Sequence, residues 1–324
     1  MATKRGAPAR SKKSERTLRP TVSIVGAGRL GAALALALSE CGYRVEALVS
    51  RKRSHAERAA RFIRTKPLSL SVRELERLPP SRLLFITTPD DLIEETAARI
   101  ANSVTEKSGQ RTALHASGAL SSSVLDSLRD VGFRTGSMHP LVAVSEPAAG
   151  AESLRRAFFC IEGEAGALRV ARRVVRDLGA RSFSINTGMK ALYHAAAVTS
   201  SGHVVALFDI ATEMLRRCGL KEREARSVLM PLLESTIANL KELSPERALT
   251  GTFARADVKT VGRHLDAIRR EKLSDALAAY KTLGRRSVRL AERRVANSEA
   301  LAAILESLDE ADSNRDGQQI KDKE

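Results

Sequence analysis

The run "TVSIVGAGRLGAALALALSECGYRVEALVSRKRS", residues 21–54, constrains the fold more than any other stretch of the chain. It reads as an apolar strand, a glycine-rich turn, an Ala/Leu helix and a second apolar strand. Gly26, Gly28 and Gly31 fall on a G-x-G-x-x-G spacing at the junction of the first strand and the helix. Each glycine has a distinct task in such a junction. Gly26 allows the tight turn, Gly28 lets backbone approach a pyrophosphate, and Gly31 lets helix and strand pack closely, with the helix N-terminus facing the anion. A glycine triplet alone is a weak signal. The flanking strand–helix–strand unit turns it into an expectation of dinucleotide binding, with Arg29 and Leu30 opening the helix beside the ligand.

The end of the second strand bears on which dinucleotide. An Asp or Glu there would hydrogen-bond the ribose 2′-hydroxyl of NAD, but this strand ends in Ser50 and runs on into Arg51, Lys52, Arg53 and Ser54. Glu46, the nearest acid, stands four residues too early. A cationic, hydroxyl-bearing loop suits a 2′-phosphate, so NADP is expected over NAD. The competing reading is a solvated basic turn that happens to follow a strand. A third contact is expected at "FITTPDD", residues 85–91, where Thr87, Thr88 and Pro89 end an apolar strand at the carboxyl edge of the sheet, the edge on which ligands bind.

From Thr21 to about residue 186, short apolar runs alternate with helical patterns. "TVSIVGAG", "YRVEALVS", "SRLLFITTPD", "RTALHASG" and "RAFFCIEG" read as strands, and 30–41, 55–64, 90–102 and 166–178 as helices. That order predicts an α/β fold, a doubly wound, mostly parallel sheet with helices on both faces. After Asn186 no strand pattern is read. Helices are expected over 188–218, closed by Gly219, then 221–243 with Pro231 kinking or splitting it, 257–269 and 272–307. With 3% aromatic residues and no Trp, the core has to be built from Ala, Leu, Val and Ile, which suits close helix packing. The expected organisation is a basic arm over 1–19, a nucleotide-binding domain over 20–186, an all-α domain over 187–308 and a polar tail over 309–324, with arm and tail disordered.

The formal charge of +16 invites a nucleic-acid reading, but much of the excess is peripheral. Residues 1–19 carry seven Lys or Arg against one Glu. The basic run at 269–294 mixes its charges with apolar residues at helical spacing, as a solvated helix face does. No nucleic-acid motif accompanies the charge, so nucleic acid is not an expected partner. Cys41, Cys160 and Cys218 lie far apart in no metal or CxxC spacing, which points to a reducing compartment and to no metal site. The arm lacks the apolar face of a transit peptide, and no apolar run of about 18 to 20 residues is read. A cytoplasmic protein with no membrane partner is expected.

Two later strand ends carry polar groups that a buried sheet does not need: His115, Ser117 and Gly118 in "HASGALS", and His139 with Pro140 in "GSMHPL". A histidine at the ligand edge can exchange a proton with a substrate oxygen near neutral pH. His115 could equally be satisfied by backbone within its loop. The first long helix adds Lys190 and His194, four residues apart and so on one face, with Ser201 near that face and His203 rotated away from it. Lys190 could orient or protonate a carbonyl oxygen while His194 supports it, or it could be a solvated first-turn lysine.

Taken together, "GAGRLG", "TTPDD", "HASGALS", "HPL", "KALYHAAAVTSSGHVVAL" and "LTGTFARAD" (249–257) resemble bacterial Rossmann-like proteins that carry a helical C-terminal domain of unknown function, number 2520. The resemblance covers roughly residues 20–305. That family is similar to pyrroline-5-carboxylate reductases, 3-hydroxyacid dehydrogenases and prephenate dehydrogenases. The resemblance implies a Rossmann domain followed by a helical dimerisation domain like the C-terminal domain of 6-phosphogluconate dehydrogenase, and hence a homodimer. His139-Pro140 resembles the His-Pro motif of prephenate dehydrogenases, in which the His meets the hydroxyl being oxidised. "HPLVAV" lacks the glycine and acid that follow there, so prephenate is not the expected substrate. Lys190 resembles the Lys of the Lys–Asn pair of 3-hydroxyacid dehydrogenases, with His194 in place of Asn. In "TGTFARAD", Thr252 and Ala256 stand where the family has Pro and Gly, which leaves Arg255 and Asp257 as candidate anchors for an acidic substrate or a partner subunit.

The resulting expectation is an NADP-dependent oxidoreductase moving a hydride to or from a small carbonyl, imine or hydroxy compound in a cleft between the domains. His139, Lys190 and His194 carry the chemistry, and Ser117, Gly118, Ser201 and Arg255 meet the substrate. The alternative is an NADP(H)-binding sensor that performs no turnover.

Overall fold

The computed structural model describes residues 19–104, 111–294 and 298–313, the last four by backbone alone. The basic arm up to residue 18 and the tail beyond Ser313 lie outside the described residues. The chain forms two compact units that meet in sequence at Val198 and Thr199, beyond the change of character at Asn186.

In the first unit the strands are β1 (Thr21–Val25), β2 (Arg44–Ser50), β3 (Leu68–Ser71), β4 (Leu83–Ile86), β5 (Thr112–His115), β6 (Arg134–Pro140), β7 (Phe158–Gly163) and β8 (Arg181–Phe183). They form one sheet in the order β3-β2-β1-β4-β5-β6-β7-β8. Every pairing is parallel except β6 with β7, which is antiparallel. The first six follow the doubly wound order, whose strand sequence reverses between β1 and β4 and opens a crevice beyond their carboxyl ends. The helices are α1 (Arg29–Glu40), α2 (Arg53–Ala60), α3 (Ile93–Asn102), α4 (Asp126–Asp130), α5 (Pro147–Arg156), α6 (Ala165–Asp177) and α7 (Lys190–Ser200).

Alternate residues of the strands supply two cores. Val22, Ile24, Leu83 and Phe85 pack on the face shared with α1, α5 and α6. Val25, Leu84 and Ile86 pack on the opposite face with α3 and α4. Both faces are therefore dry, and the central strands read as continuous apolar runs. Helix α1 is Ala-rich because it packs closely on α5: a Cβ on Gly150 would sit 3.0 Å from the Ala33 Cβ. This is where the scarcity of aromatic residues becomes architecture.

The second unit is helical: α8 (Gly202–Arg217), α9 (Glu222–Glu242), α10 (Pro245–Ala248), α11 (Gly251–Ala254), α12 (Val258–Arg270), α13 (Ser274–Ala291) and α14 (Ser298–Ser313). Its core joins Val261 and Leu265 of α12, Val288 of α13, and Leu301, Ile304 and Leu308 of α14.

Several expectations need correction. The sequence expectations lack β3, α4, α5, β8, α10 and α11; apart from α5 these run only three to five residues, below the length at which periodicity is informative. The helix expected over 188–218 breaks at Ser201, whose φ −128° and ψ −73° are not helical. The one expected over 272–307 ends at Ala291, and a separate helix runs from Ser298 to Ser313, past the expected end. Pro231 lies inside α9 without splitting it. By length and composition alone, Thr187–Arg217, with a mean hydropathy of 1.3 over its most apolar window, is long and apolar enough to cross a bilayer, contrary to the sequence reading. Its apolarity comes from Ala, Val and Leu shared between α7 and α8, which the break at Ser201 separates, and it carries the polar Lys190, Tyr193, His194 and Asp209.

Candidate functional site

The glycine loop is shaped first by the protein's own packing. Gly26 has φ +108°, in the left-handed region, and its N–H and that of Ala27 both donate to the Val49 carbonyl, at 2.9 and 2.8 Å. A Cβ on Gly26 would lie 2.5 Å from the Thr87 carbonyl carbon, and one on Gly31 would lie 2.2 Å from the Gly26 oxygen. Gly28 differs: a Cβ there would meet nothing nearer than 4.0 Å. Its side faces open space, as a backbone that receives a ligand must. Gly28 is also the N-cap of α1 and supplies no side-chain hydrogen bond, so the first-turn N–H groups of that helix keep their positive end unneutralised.

The neighbouring strand ends complete this edge. Ser50 is buried, and Arg51, Lys52 and Arg53 are exposed. Arg53 is already committed: its Nε lies 3.2 Å from Glu57 and its guanidinium 3.7 Å from Glu74. Arg51 and Lys52 make no ion pair among the described residues. Glu46 is engaged too, accepting from the Ser81 hydroxyl at 2.6 Å, which removes the only acid of β2 from a ribose role. At the end of β4, the Thr87 hydroxyl donates to the Gly26 carbonyl at 2.8 Å and holds the loop. Thr88 Oγ1 next to it is buried with no hydrogen-bond partner among the described residues. Pro89 caps the short turn that follows.

Beside this edge, β5, β6 and the start of α7 converge. His115 is fully buried, with Nδ1 accepting from the Ser117 N–H at 3.2 Å and Nε2 facing the Ser121 carbonyl at 3.0 Å. Burial, with the Lys190 charge second, pushes its pKa down to about 3. His115 is therefore a neutral clamp for its loop, and the backbone-satisfied reading holds for it. Ser117 donates to Asp90 at 2.8 Å and accepts the N–H groups of Ala119 and Leu120, so it too shapes the loop.

Lys190 is not solvated. It is 2% exposed, and its Nζ donates to the Ser117 carbonyl at 3.1 Å and to Ser137 Oγ at 2.7 Å. Burial lowers its pKa, opposed by buried Glu162. Ser137 also approaches Glu162, at 3.5 Å, and Glu162 takes both the N–H and the hydroxyl of Ser122 at 2.8 Å. His139 Nδ1 lies 2.7 Å from the Tyr193 hydroxyl, whose other neighbour is the thiol of buried Cys160. Burial first, and then His194 and Lys190, push the His139 pKa down to about 4. Burial raises the Cys160 thiol and the Tyr193 phenol, so both stay protonated at neutral pH. His194 stands edge-on to His139, ring centroids 5.6 Å apart. Gly118 fits between them: a Cβ on it would come within 2.6 Å of His194 and 2.9 Å of His139 Nε2.

The structure thus brings His139, Lys190, His194, Ser117 and Gly118 together. Arg29 and Leu30 line one cavity of about 380 Å³ with Asp90, Gly118, His139 and His194. Ser201 and Arg255 belong to the second unit. Ser201 precedes α8 there, and Arg255 is exposed. Asp257 is the N-cap of α12, accepting from the Thr260 N–H at 3.1 Å, which gives it a structural task. Sequence reading missed Tyr193, Ser137, Cys160 and Glu162. Two of these carried a signal: Tyr193 lies three residues from Lys190 on the same helix face, and Ser137 lies two from His139 on the same strand face.

A doubly wound sheet with a glycine loop at its switch point defines the Rossmann class, and a Lys–His–Tyr cluster from β6 and the start of α7 lies beside that loop. Family models agree in sequence: residues 6–140 match a Rossmann-like domain and residues 157–287 match the domain of unknown function DUF2520. The chain thus carries a Rossmann-like domain followed by a DUF2520 domain. Among curated proteins none matches it in sequence. In structure it resembles a protein from Thermotoga maritima, at 24% identity and TM-score 0.65, over 84% of this chain and 99% of that one. A provisionally assigned NADP oxidoreductase from Bacteroides fragilis superposes with TM-score 0.68 at 21% identity, over 84% of this chain and 98% of the other. A reductive aminase from Aspergillus terreus, solved with NADPH and ethyl levulinate, shares the fold at TM-score 0.60 and 17% identity, over 88% of this chain and 98% of its own.

Proposed function

We propose that this protein is an NADP-dependent oxidoreductase that transfers a hydride to or from a small carbonyl, imine or hydroxy compound. The observation that carries the reading is the shared cavity: Arg29 and Leu30 at the head of the glycine-loop helix face the same space as His139 and His194. The residues present fit the dinucleotide. Gly28 and the uncapped α1 N-terminus suit its pyrophosphate, Arg51 and Lys52 suit a 2′-phosphate, and the unpartnered Thr88 hydroxyl offers a hydrogen bond at the strand end. When bound, the nicotinamide supplies or accepts the hydride. The NADPH of the Aspergillus terreus reductase supports the same cofactor here.

The chain's own residues handle the proton. His139 is neutral, with Nδ1 tied to Tyr193, so Nε2, beside Gly118, is the atom left to face a substrate. If the Tyr193 hydroxyl donates to Nδ1, Nε2 carries a proton and can give it to a carbonyl oxygen or imine nitrogen. If Nδ1 donates to Tyr193, Nε2 is bare and can take a proton from a hydroxy compound. Lys190 anchors the Ser117 loop to β6 and places positive charge beneath the developing oxyanion.

We also propose a homodimer through the helical domain. Val205 on α8 and Val228 and Leu232 on α9 are 70%, 57% and 65% exposed, an apolar surface suited to a second copy. The experiment is calorimetric titration with NADPH, followed by a panel of small carbonyl, imine and hydroxy compounds read through nicotinamide absorbance. Failure to bind NADPH rejects the reading. Binding without turnover, unaffected by His139→Ala, favours a sensor.

A further inference from the structure

A second cavity lies at the opposite edge of the sheet, where the parallel strands begin. It measures about 730 Å³ and takes its lining from Thr21, Leu83, Thr112 and Arg134, the first residues of β1, β4, β5 and β6. Arg19, Arg82, Arg134 and Arg173 all face it, with Tyr43 and Val174. Four arginines lining one space make it a positively charged recess that suits an anion.

Of Arg19, Arg134 and Arg173, Arg19 alone has an ion-pair partner among the described residues. Arg19 lies 3.7 Å from Asp177 and stacks on the Tyr43 ring, 5.4 Å from its centroid, while the Tyr43 hydroxyl donates to the same Asp177. That carboxylate is thus shared between two groups and is absent from the cavity lining. Arg134 and Arg173 make no ion pair among the described residues.

We propose that this cavity binds a small polyphosphate, a molecule with two or more linked phosphate groups, at a site separate from the glycine loop. Three observations select that class. The volume falls within the range of small-molecule sites and is generous for a single phosphate. Guanidinium forks match phosphate oxygens in pairs, and several arginines spread around one space match several phosphates. The lining also includes the hydroxyl residues Thr21 and Thr112, and part of the Tyr43 ring gives an apolar wall.

The test is a calorimetric titration of the full-length protein with sodium tripolyphosphate at near-physiological salt, with thermal melting in parallel. Expected is saturable binding and a raised Tm. Affinity falls at least tenfold in Arg134→Ala/Arg173→Ala and is unchanged in Arg51→Ala/Lys52→Ala. Because the Arg134 stem packs against Gly166, Arg173→Glu on its exposed side chain serves as the second variant, reversing a charge without touching the core, and it too must lose binding. The proposal is overturned if tripolyphosphate does not saturate, if binding survives both cavity variants, or if it is lost with Arg51 and Lys52, which would place it at the glycine loop. Tighter binding of a single-stranded oligonucleotide that depends on Arg134 and Arg173 would overturn it in favour of a nucleic-acid backbone.

Discussion

The hydroxyl of Tyr193 lies 2.7 Å from Nδ1 of His139, and the two rings meet edge to face at 86°. This contact decides which nitrogen of a neutral imidazole carries the proton, and therefore whether His139 acts as donor or acceptor at Nε2. Tyr193→Phe keeps the ring and its packing against Phe183, 5.9 Å away, and removes only the hydroxyl. Turnover is expected to fall by roughly tenfold to a hundredfold, with KM for the substrate nearly unchanged, because the hydroxyl acts on proton transfer and not on binding. The pH profile of kcat should move as well, which a loss of packing alone would not cause.

The three loop glycines should separate when each is replaced by Ala. At Gly31 the new Cβ overlaps the Gly26 carbonyl at 2.2 Å, a backbone atom that cannot step aside, so Gly31→Ala should cost roughly 3 kcal/mol in urea denaturation. Gly26→Ala meets the Thr87 backbone and a positive φ and should behave similarly. Gly28 has φ −76° and open space, so Gly28→Ala should leave stability within about 0.5 kcal/mol while weakening NADPH binding at least tenfold. Equal loss of stability at all three positions would remove the distinction between packing and ligand glycines.

Cofactor choice should follow the free cations and not the whole basic loop. Arg51→Ala/Lys52→Ala removes two unpaired charges and is expected to weaken NADPH by about ten- to a hundredfold with little change for NADH, each charged hydrogen bond being worth roughly 1.5–3 kcal/mol. Arg53→Ala should matter less for NADPH, since Arg53 is paired with Glu57 and Glu74, and more for the seating of α2. Fluorescence titrations with both nucleotides check this.

Strands β1, β2, β4 and β5, the glycine loop and the His-Pro strand end were legible because each rests on local chemistry: apolar periodicity, Gly spacing, and a polar group where a strand stops. What surrounds His139 was not, because it comes from pairing between distant strands. β7 runs antiparallel to β6 and sets Cys160 opposite His139 and Glu162 opposite Ser137. Nothing in "FFCIEG" announces that direction, and a parallel β7 would have set other residues there. The burial of Lys190 was equally hidden, since a first-turn lysine looks alike in sequence whether it faces water or two hydrogen-bond acceptors across the sheet edge.

Lys272 gives a test of backbone strain away from the site. It follows α12 with φ +56°, its N–H donates to the Arg269 carbonyl at 2.9 Å and that of Leu273 donates to Ile268 at 3.3 Å, the double bond of a Schellman helix end. Glycine is the residue that position favours, and the Lys272 side chain is exposed, so nothing is lost from the core. Lys272→Gly should stabilise the protein by about 1 kcal/mol, seen as a higher denaturation midpoint with an unchanged slope. A lower midpoint would show that the lysine makes an interaction that outweighs its strain.

Stability should fall on the acid side through two histidines. Free histidine titrates near 6.5, whereas burial holds His139 at about 4 and His115 at about 3. Between those values the unfolded chain binds protons that the folded chain refuses, so the unfolded state gains as pH drops. The stability conferred by neutral imidazoles is therefore fully present above pH 6.5. It declines by up to about 1.4 kcal/mol per pH unit for each histidine as pH falls toward about 4 and then about 3. Urea denaturation at pH 7 and pH 5 should show that loss. His115→Gln, which keeps a donor and an acceptor for Ser121 and Ser117 but cannot titrate, should shallow the slope by about the share of one histidine, and an unaltered slope in that variant would show that His115 is not neutral in the fold.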